Sequence, residues 1–148
     1  MIGAPISILL VEDDDIDAEA INRAFRKQKI ANPITRAVDG IEALSFLRGE
    51  DEEKKLSSPY IILLDINMPR MNGHEFLKEL RSDETLHGCV VFVLTTSDAD
   101  RDIDQAYSQN VAGYIIKSHA GADFANLTGL IDHYWRYIEL PTVGKRAS

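Results

Sequence analysis

Apolar residues along this chain gather into short, nearly unbroken runs, and the stretches between them carry helical spacing. Runs of strand length cover 6–11, 34–38, 60–64, 90–94 and 114–116, and the third is almost wholly apolar. A strand of that kind has both faces covered, as in a parallel sheet packed between helices. Between the runs, apolar positions recur every three or four residues. Ala18, Ile21, Ala24 and Phe25 predict a helix over 16–29. Ile41, Leu44 and Leu47 predict a second, capped by Asp39 and stopped at Gly49. Phe76, Leu77 and Leu80 predict a third behind Asn72, and Ile103 and Ala106 a fourth opened by Asp98. Phe124, Leu127, Leu130, Ile131, Tyr134 and Ile138 predict a last helix over 122–138, ended by Pro141. Asn32-Pro33 is a turn signal, and the polar stretch 50–58 reads as a solvated loop. Five strands alternating with five helices predict an α/β fold, a doubly wound parallel sheet with helices on both faces. Residues 1–140 read as one domain and 141–148 as a loose tail.

Four of the runs end on polar residues. The first meets Glu12, Asp13 and Asp14, the third Asp65, the fourth Thr95, Thr96 and Ser97, and the fifth Lys117. In an open parallel sheet the carboxyl ends of the strands share one edge, and ligands bind there. Carboxylates, a hydroxyl and an ammonium then converge on one cleft, a set suited to a divalent cation and to phosphate.

Composition narrows the classes further. The 148 residues carry a formal net charge of −8, which disfavours nucleic acid and anionic membranes as partners. A single cysteine, Cys89, excludes an internal disulfide and a multi-cysteine metal site, and is expected to be buried and inert. No run approaches the ~20 apolar residues of a membrane span. Residues 1–7 lack the basic-then-apolar form of a signal peptide. A soluble cytoplasmic protein is the expectation.

Glu12-Asp13, the segment Asp65-Ile66-Asn67-Met68-Pro69-Arg70-Met71-Asn72-Gly73, Thr95 and Lys117 occur in that order. Together they resemble the receiver domain of two-component response regulators, over residues 6–138. The resemblance implies a flavodoxin-like sheet of order 2-1-3-4-5. It implies a phosphoacceptor signalling protein rather than an enzyme, catalysing only its own phosphotransfer and dephosphorylation. A sensor histidine kinase would supply the phosphoryl group to Asp65 in a Mg2+-dependent reaction. Glu12, Asp13, Asp65 and the backbone carbonyl of Asn67 would hold the magnesium. Thr95 would be the switch hydroxyl, Tyr114 the switch aromatic, and Lys117 the phosphate contact. The chemistry fits these types: a carboxylate accepts a phosphoryl group once that group is held in line and its charge is neutralised. Thr95 is preferred over Thr96 because it directly follows the apolar strand. Asp14, Asp15 and Asp17 read as first-turn acids favoured by the helix dipole, with Asp14 within reach of a metal-bound water. His74 reads as a solvated helical position, and His87, His119 and His133 share no ligand spacing.

Two departures from the family pattern stand out. Ser118 follows Lys117 where most receivers have proline, which predicts a mobile or reshaped loop without a cis peptide. Glu12 replaces the commoner Asp and lengthens one arm of the acidic pair. The acidic insert, Leu94-Thr95-Thr96-Ser97, Lys117-Ser118 and the aromatic end (Tyr134, Trp135, Tyr137) resemble stand-alone receivers paired with bacterial phytochrome kinases. Those aromatics also suggest a homodimer through the C-terminal helix. No output domain is expected after residue 148, so signalling is expected through protein contact or onward phosphotransfer. A phosphohydrolase would need an acid two residues after the nucleophile, and Asn67 stands there.

Overall fold

The computed structural model describes residues 6–28, 33–50, 56, 60–121, 124–137 and 140–141, with backbone alone at 135–137. The predicted turn residue Asn32, most of the 50–58 loop, the Trp135 and Tyr137 side chains, Ile138 and the 142–148 tail lie outside these. Strands β1 (Ser7–Val11), β2 (Ile34–Ala37), β3 (Tyr60–Leu64), β4 (Val90–Thr95) and β5 (Gly113–Ile116) alternate with helices. The helices are α1 (Asp15–Lys27), α2 (Gly40–Leu47), α3 (Gly73–Ser82), α4 (Asp100–Ser108) and α5 (Ala125–Tyr137). All neighbouring strands pair in parallel, in the order β2-β1-β3-β4-β5. This is the doubly wound, flavodoxin-like order that the resemblance implied.

The period-two alternation of strands divides one sheet into two cores. Ile8, Leu10, Ile61, Leu63, Phe92 and Leu94 face Ala18, Ile21 and Phe25 of α1 and Leu127 and Ile131 of α5. Leu9, Val11, Ile62, Leu64, Val91 and Val93 face α2, α3 and α4, through Leu44, Phe46, Phe76, Leu77, Leu80 and Ala106. Every residue of β1 and β3 is buried, which explains why those runs show no polar alternation.

The boundaries differ from the sequence reading in instructive places. Helix α1 starts one residue earlier, because Asp14 caps it by accepting from the N–H groups of Ile16 and Asp17. Asp98 does not open α4. The helix begins two residues later, behind Ala99, which offers no side-chain cap, and the Ser97 hydroxyl accepts the Ala99 N–H instead. Asp39 and Asn72 do cap α2 and α3, the latter in a reciprocal capping box with Glu75.

Arg81, at the end of α3, is a clamp that residue spacing does not announce. Its guanidinium donates to the carbonyls of His87, Cys89, Gln109 and Asn110 at 2.6, 2.8, 2.7 and 3.0 Å. One side chain thus ties the entry to β4 to the entry to β5. Lysine cannot reproduce that fork. Arg81→Lys is expected to cost about 1–2 kcal/mol, the worth of two or three lost net hydrogen bonds. Urea melts of the two proteins check this, and an unchanged midpoint would contradict it.

Candidate functional site

Register brings the polar tips together. Val11 lies opposite Leu64, and Leu64 opposite Val93, so the residues that follow emerge side by side. The Asp65 N–H donates to the Val11 carbonyl at 3.0 Å, extending the ladder one step past the strands. Carboxylate oxygens of Glu12, Asp13 and Asp65 lie within 4.8 Å of one another. Glu12 is 1% exposed and Asp65 7%, whereas Asp13 opens to solvent.

Lys117 enters this cluster from the end of β5. Its Nζ lies 2.6 Å from Glu12 Oε1, 2.7 Å from Asp17 Oδ2 and 3.3 Å from Asp65 Oδ2. Burial opposes its charge, but the bonds to Asp17 and Glu12 and the field of Asp65 outweigh that, so the ammonium is held above its usual range. Asp65 Oδ1 accepts from the N–H of Asn67 at 3.2 Å, and the Asn67 side chain is exposed. Thr95 closes β4, fully buried, and its Oγ1 accepts the Ser97 N–H at 3.4 Å, while Thr96 is exposed. Tyr114 is half-buried, and its hydroxyl donates to the Ser97 carbonyl at 3.0 Å. Lys117-Ser118-His119 forms a single 3₁₀ turn in place of the loop proline would shape.

Neighbouring loops hold the tips in place. Arg36, on β2, donates to the Glu12 carbonyl at 2.9 Å and pairs with Asp15 at 2.7 Å. Arg70 occupies the left-handed region (φ 63°) and pairs with Asp39. That pair ties the β3–α3 loop to the start of α2.

Two side chains depart from the sequence reading. Asp17 is more than a first-turn acid, because it bonds Lys117 directly. Helical side chains lean toward the N-terminus, so the third helical position reaches back over the strand tip. That direction is the signal by which it could be found. His74 is not solvated: its side chain is 13% exposed and faces Asp102 across the α3–α4 contact. Helical periodicity within one segment carries no information about which residue of another helix will lie opposite. Asp14 stays an exposed cap, and Tyr134 packs edge-on against Phe92 at 5.0 Å, which turns one of the three aromatics inward.

The residues suit a hard dication. The donors are oxygens only, as magnesium and manganese prefer. Burial first, and then the Asp65 charge, push Glu12 up to about 7 despite its bond to Lys117. A buried acid held above its ordinary 4.5 binds a proton more tightly folded than unfolded. Ionising it therefore costs stability as pH rises from about 4.5 to about 7. Asp102, Asp39 and Asp83 are shifted the other way, so their contributions fade only in more acid solution. For Asp102 the bonds from Ser97 and His74 do this, while for Asp39 and Asp83 burial opposes the shift and the hydrogen bonds prevail. In chelator, stability is thus expected to fall by about 2 kcal/mol between pH 5.5 and 8. Glu12→Gln should flatten that slope, and magnesium should restore stability at pH 8. Thermal melts across pH test this, and a rising slope in the wild type would contradict it.

Known proteins resemble this chain over most of its length. Residues 8–128 match the family model described as response regulator receiver domain. The probable methanogenesis regulatory protein FilR2 of Methanothrix harundinacea is 38% identical over 131 residues, covering 88% of this chain and 84% of that protein. Response regulator Rcp1 of Synechocystis is 32% identical over 131 residues, covering 88% of this chain and 89% of that protein. A crystal structure of the phosphorylated cyanobacterial phytochrome response regulator RcpA superposes with a TM-score of 0.82 at 36% identity, over 94% of this chain and all of that one. A structure of the Mn2+-bound form of response regulator Rcp1 gives 0.80 at 32% identity, over 93% of this chain and all of that one. Among the described residues, no helix is long and apolar enough to cross a membrane.

Proposed function

This chain belongs to the response regulator receiver family, and from that premise we propose that Asp65 is its phosphoacceptor, fed by a sensor histidine kinase with Mg2+ as the cation. The observation that carries the reading is the convergence of Glu12, Asp13, Asp65 and Lys117 on one pocket at the carboxyl edge of the sheet. Glu12, Asp13, Asp65 and the Asn67 carbonyl would hold the cation. Bound there, it supplies positive charge beside the acceptor and a fixed seat for phosphoryl oxygens.

The chain's own residues do the rest. The Asn67 N–H fixes one oxygen of Asp65 and so aims the carboxylate. An Asp65 oxygen bonds to phosphorus as the bond from phosphorus to the kinase histidine breaks, and the electron pair of that bond leaves with the imidazole. Lys117, already beside Asp65 Oδ2, follows the incoming charge and pairs with a phosphoryl oxygen. Thr95 then donates its hydroxyl hydrogen to the same group. That bond draws in the loop after β4, and Tyr114, whose hydroxyl already donates to the Ser97 carbonyl, follows it. In the slow return to the resting state, a water oxygen bonds to phosphorus, the bond from phosphorus to the Asp65 oxygen breaks, and inorganic phosphate leaves the restored carboxylate.

The likeness to RcpA supports a kinase of the phytochrome type as partner. Self-association through α5 belongs to the same proposal, with Leu130, exposed on that helix, as a candidate contact. The testing experiment is transfer from an autophosphorylated phytochrome-type kinase carrying radiolabelled phosphate, with the label mapped by peptide. Label on the Asp65 peptide is expected. Label elsewhere would refute the assignment, and label from an unrelated kinase alone would refute the pairing.

A further inference from the structure

Away from the carboxylate pocket, three side chains link α3, α4 and the loop after Thr95. His74 on α3 turns Nε2 to Asp102 Oδ1 at 3.0 Å. Asp102, in the first turn of α4, accepts the Ser97 hydroxyl on its other oxygen at 2.6 Å. Ser97 is engaged at its remaining polar atoms as well. Its N–H donates to Thr95 Oγ1, its carbonyl accepts from Tyr114, and its Oγ accepts the Ala99 N–H.

These groups are committed to one another. The side chains of His74 and Asp102 are 13% and 21% exposed. The bonds from Ser97 and then His74 hold Asp102 below the usual carboxylate range, so it carries its charge. A partly buried carboxylate is costly to leave half-satisfied. His74 Nδ1 is buried and has no hydrogen-bond partner among the described residues, so Asp102 is what orients the ring.

We infer that Asp102, braced by His74, is a positioning residue for the switch: it fixes Ser97, and through Ser97 it presents the Thr95 hydroxyl and receives Tyr114. The inference rests on the roles given above to Asp65 and Thr95. Thr95 Oγ1 accepts from Ser97, which leaves its own hydrogen to donate to a phosphoryl oxygen. A loop ordered in advance spares the phosphorylated state the entropy of ordering it. Cutting the relay therefore weakens the grip on a phosphoryl group and leaves the cation site, built from other loops, untouched.

The experiment is titration with beryllofluoride in saturating Mg2+, followed by the NMR signals of the His74 and Tyr114 rings. Ser97→Ala and Asp102→Asn should weaken beryllofluoride binding about tenfold, the worth of one charge-assisted hydrogen bond. Magnesium affinity should not change in either. Ser97→Thr, which keeps the hydroxyl, should restore binding, and Asp104→Asn, exposed on the same helix, should be silent. The His74 ring signal should move on addition of beryllofluoride in the wild type and not in Ser97→Ala. Should Asp102→Asn loosen α4, Ser97→Ala alone carries the test, because it removes a single oxygen. Wild-type binding by Ser97→Ala overturns the relay, and so does an equal loss of magnesium affinity. A wild type that binds Mg2+ but not beryllofluoride overturns the acceptor role of Asp65, and the relay with it.

Discussion

Asp65→Asn should lose phosphorylation to background while keeping its fold. The amide has the shape of the carboxylate but no nucleophilic oxygen of comparable strength. Its surroundings are already saturated: one oxygen accepts from the Asn67 N–H and the other faces Lys117. An amide oxygen can keep the first of these contacts. The substitution also removes one of the charges that raise Glu12. The cation-free variant should therefore melt higher than the wild type at pH 8, even as its magnesium affinity falls. Kinase-dependent label and intact mass read the first effect, and thermal melts in chelator read the second. Label retained on the variant would remove Asp65 from its assigned role.

Gly73→Ala should be the most damaging small substitution at the site. A Cβ there would sit 2.5 Å from the Asp65 carbonyl oxygen and 2.7 Å from Ile66 Cα. Both are backbone atoms, so no side chain can yield. The Gly73 N–H also donates to the Ile66 carbonyl at 2.8 Å, which locks the first turn of α3 against the end of β3. Relief requires moving the helix or the loop that carries Asp65. The expected cost is about 3 kcal/mol, the upper end for an overpacked methyl group. Magnesium affinity should fall with it, because the shift displaces Asp65. Urea melts and magnesium titration measure the two effects, and a variant as stable as the wild type would show that α3 can slide.

The sheet and its polar tips are legible in the sequence because their signals are local. Apolar runs such as 60–64 identify strands buried on both faces, and the residue after each run lies on the ligand edge whatever the helices do. The order of the strands is not legible from spacing, and comes from the resemblance. Asp17 escapes such a reading because the acidic cluster offers five carboxylates in the six positions 12–17, and only side-chain direction separates them. Arg81 and the His74–Asp102 pair are invisible for a different reason. Each joins segments 6 to 29 positions apart across a packing contact, and a one-dimensional pattern holds no trace of such contacts. Asp98 shows the reverse case: a good cap by type, displaced because the Ser97 hydroxyl closes the turn first.

The lysine at the end of β5 also sets the order of events. Glu12, Asp17 and Asp65 surround a single ammonium and Asp13 lies beside two of them, so the cleft presents net negative potential to anything that approaches. A phosphorylated donor is itself an anion and is repelled at that entrance. On the proposed reading, a dication seated first lowers that barrier for the phosphoryl group that follows. A chain stripped of its dication should, on the same reading, answer a phosphodonor only slowly.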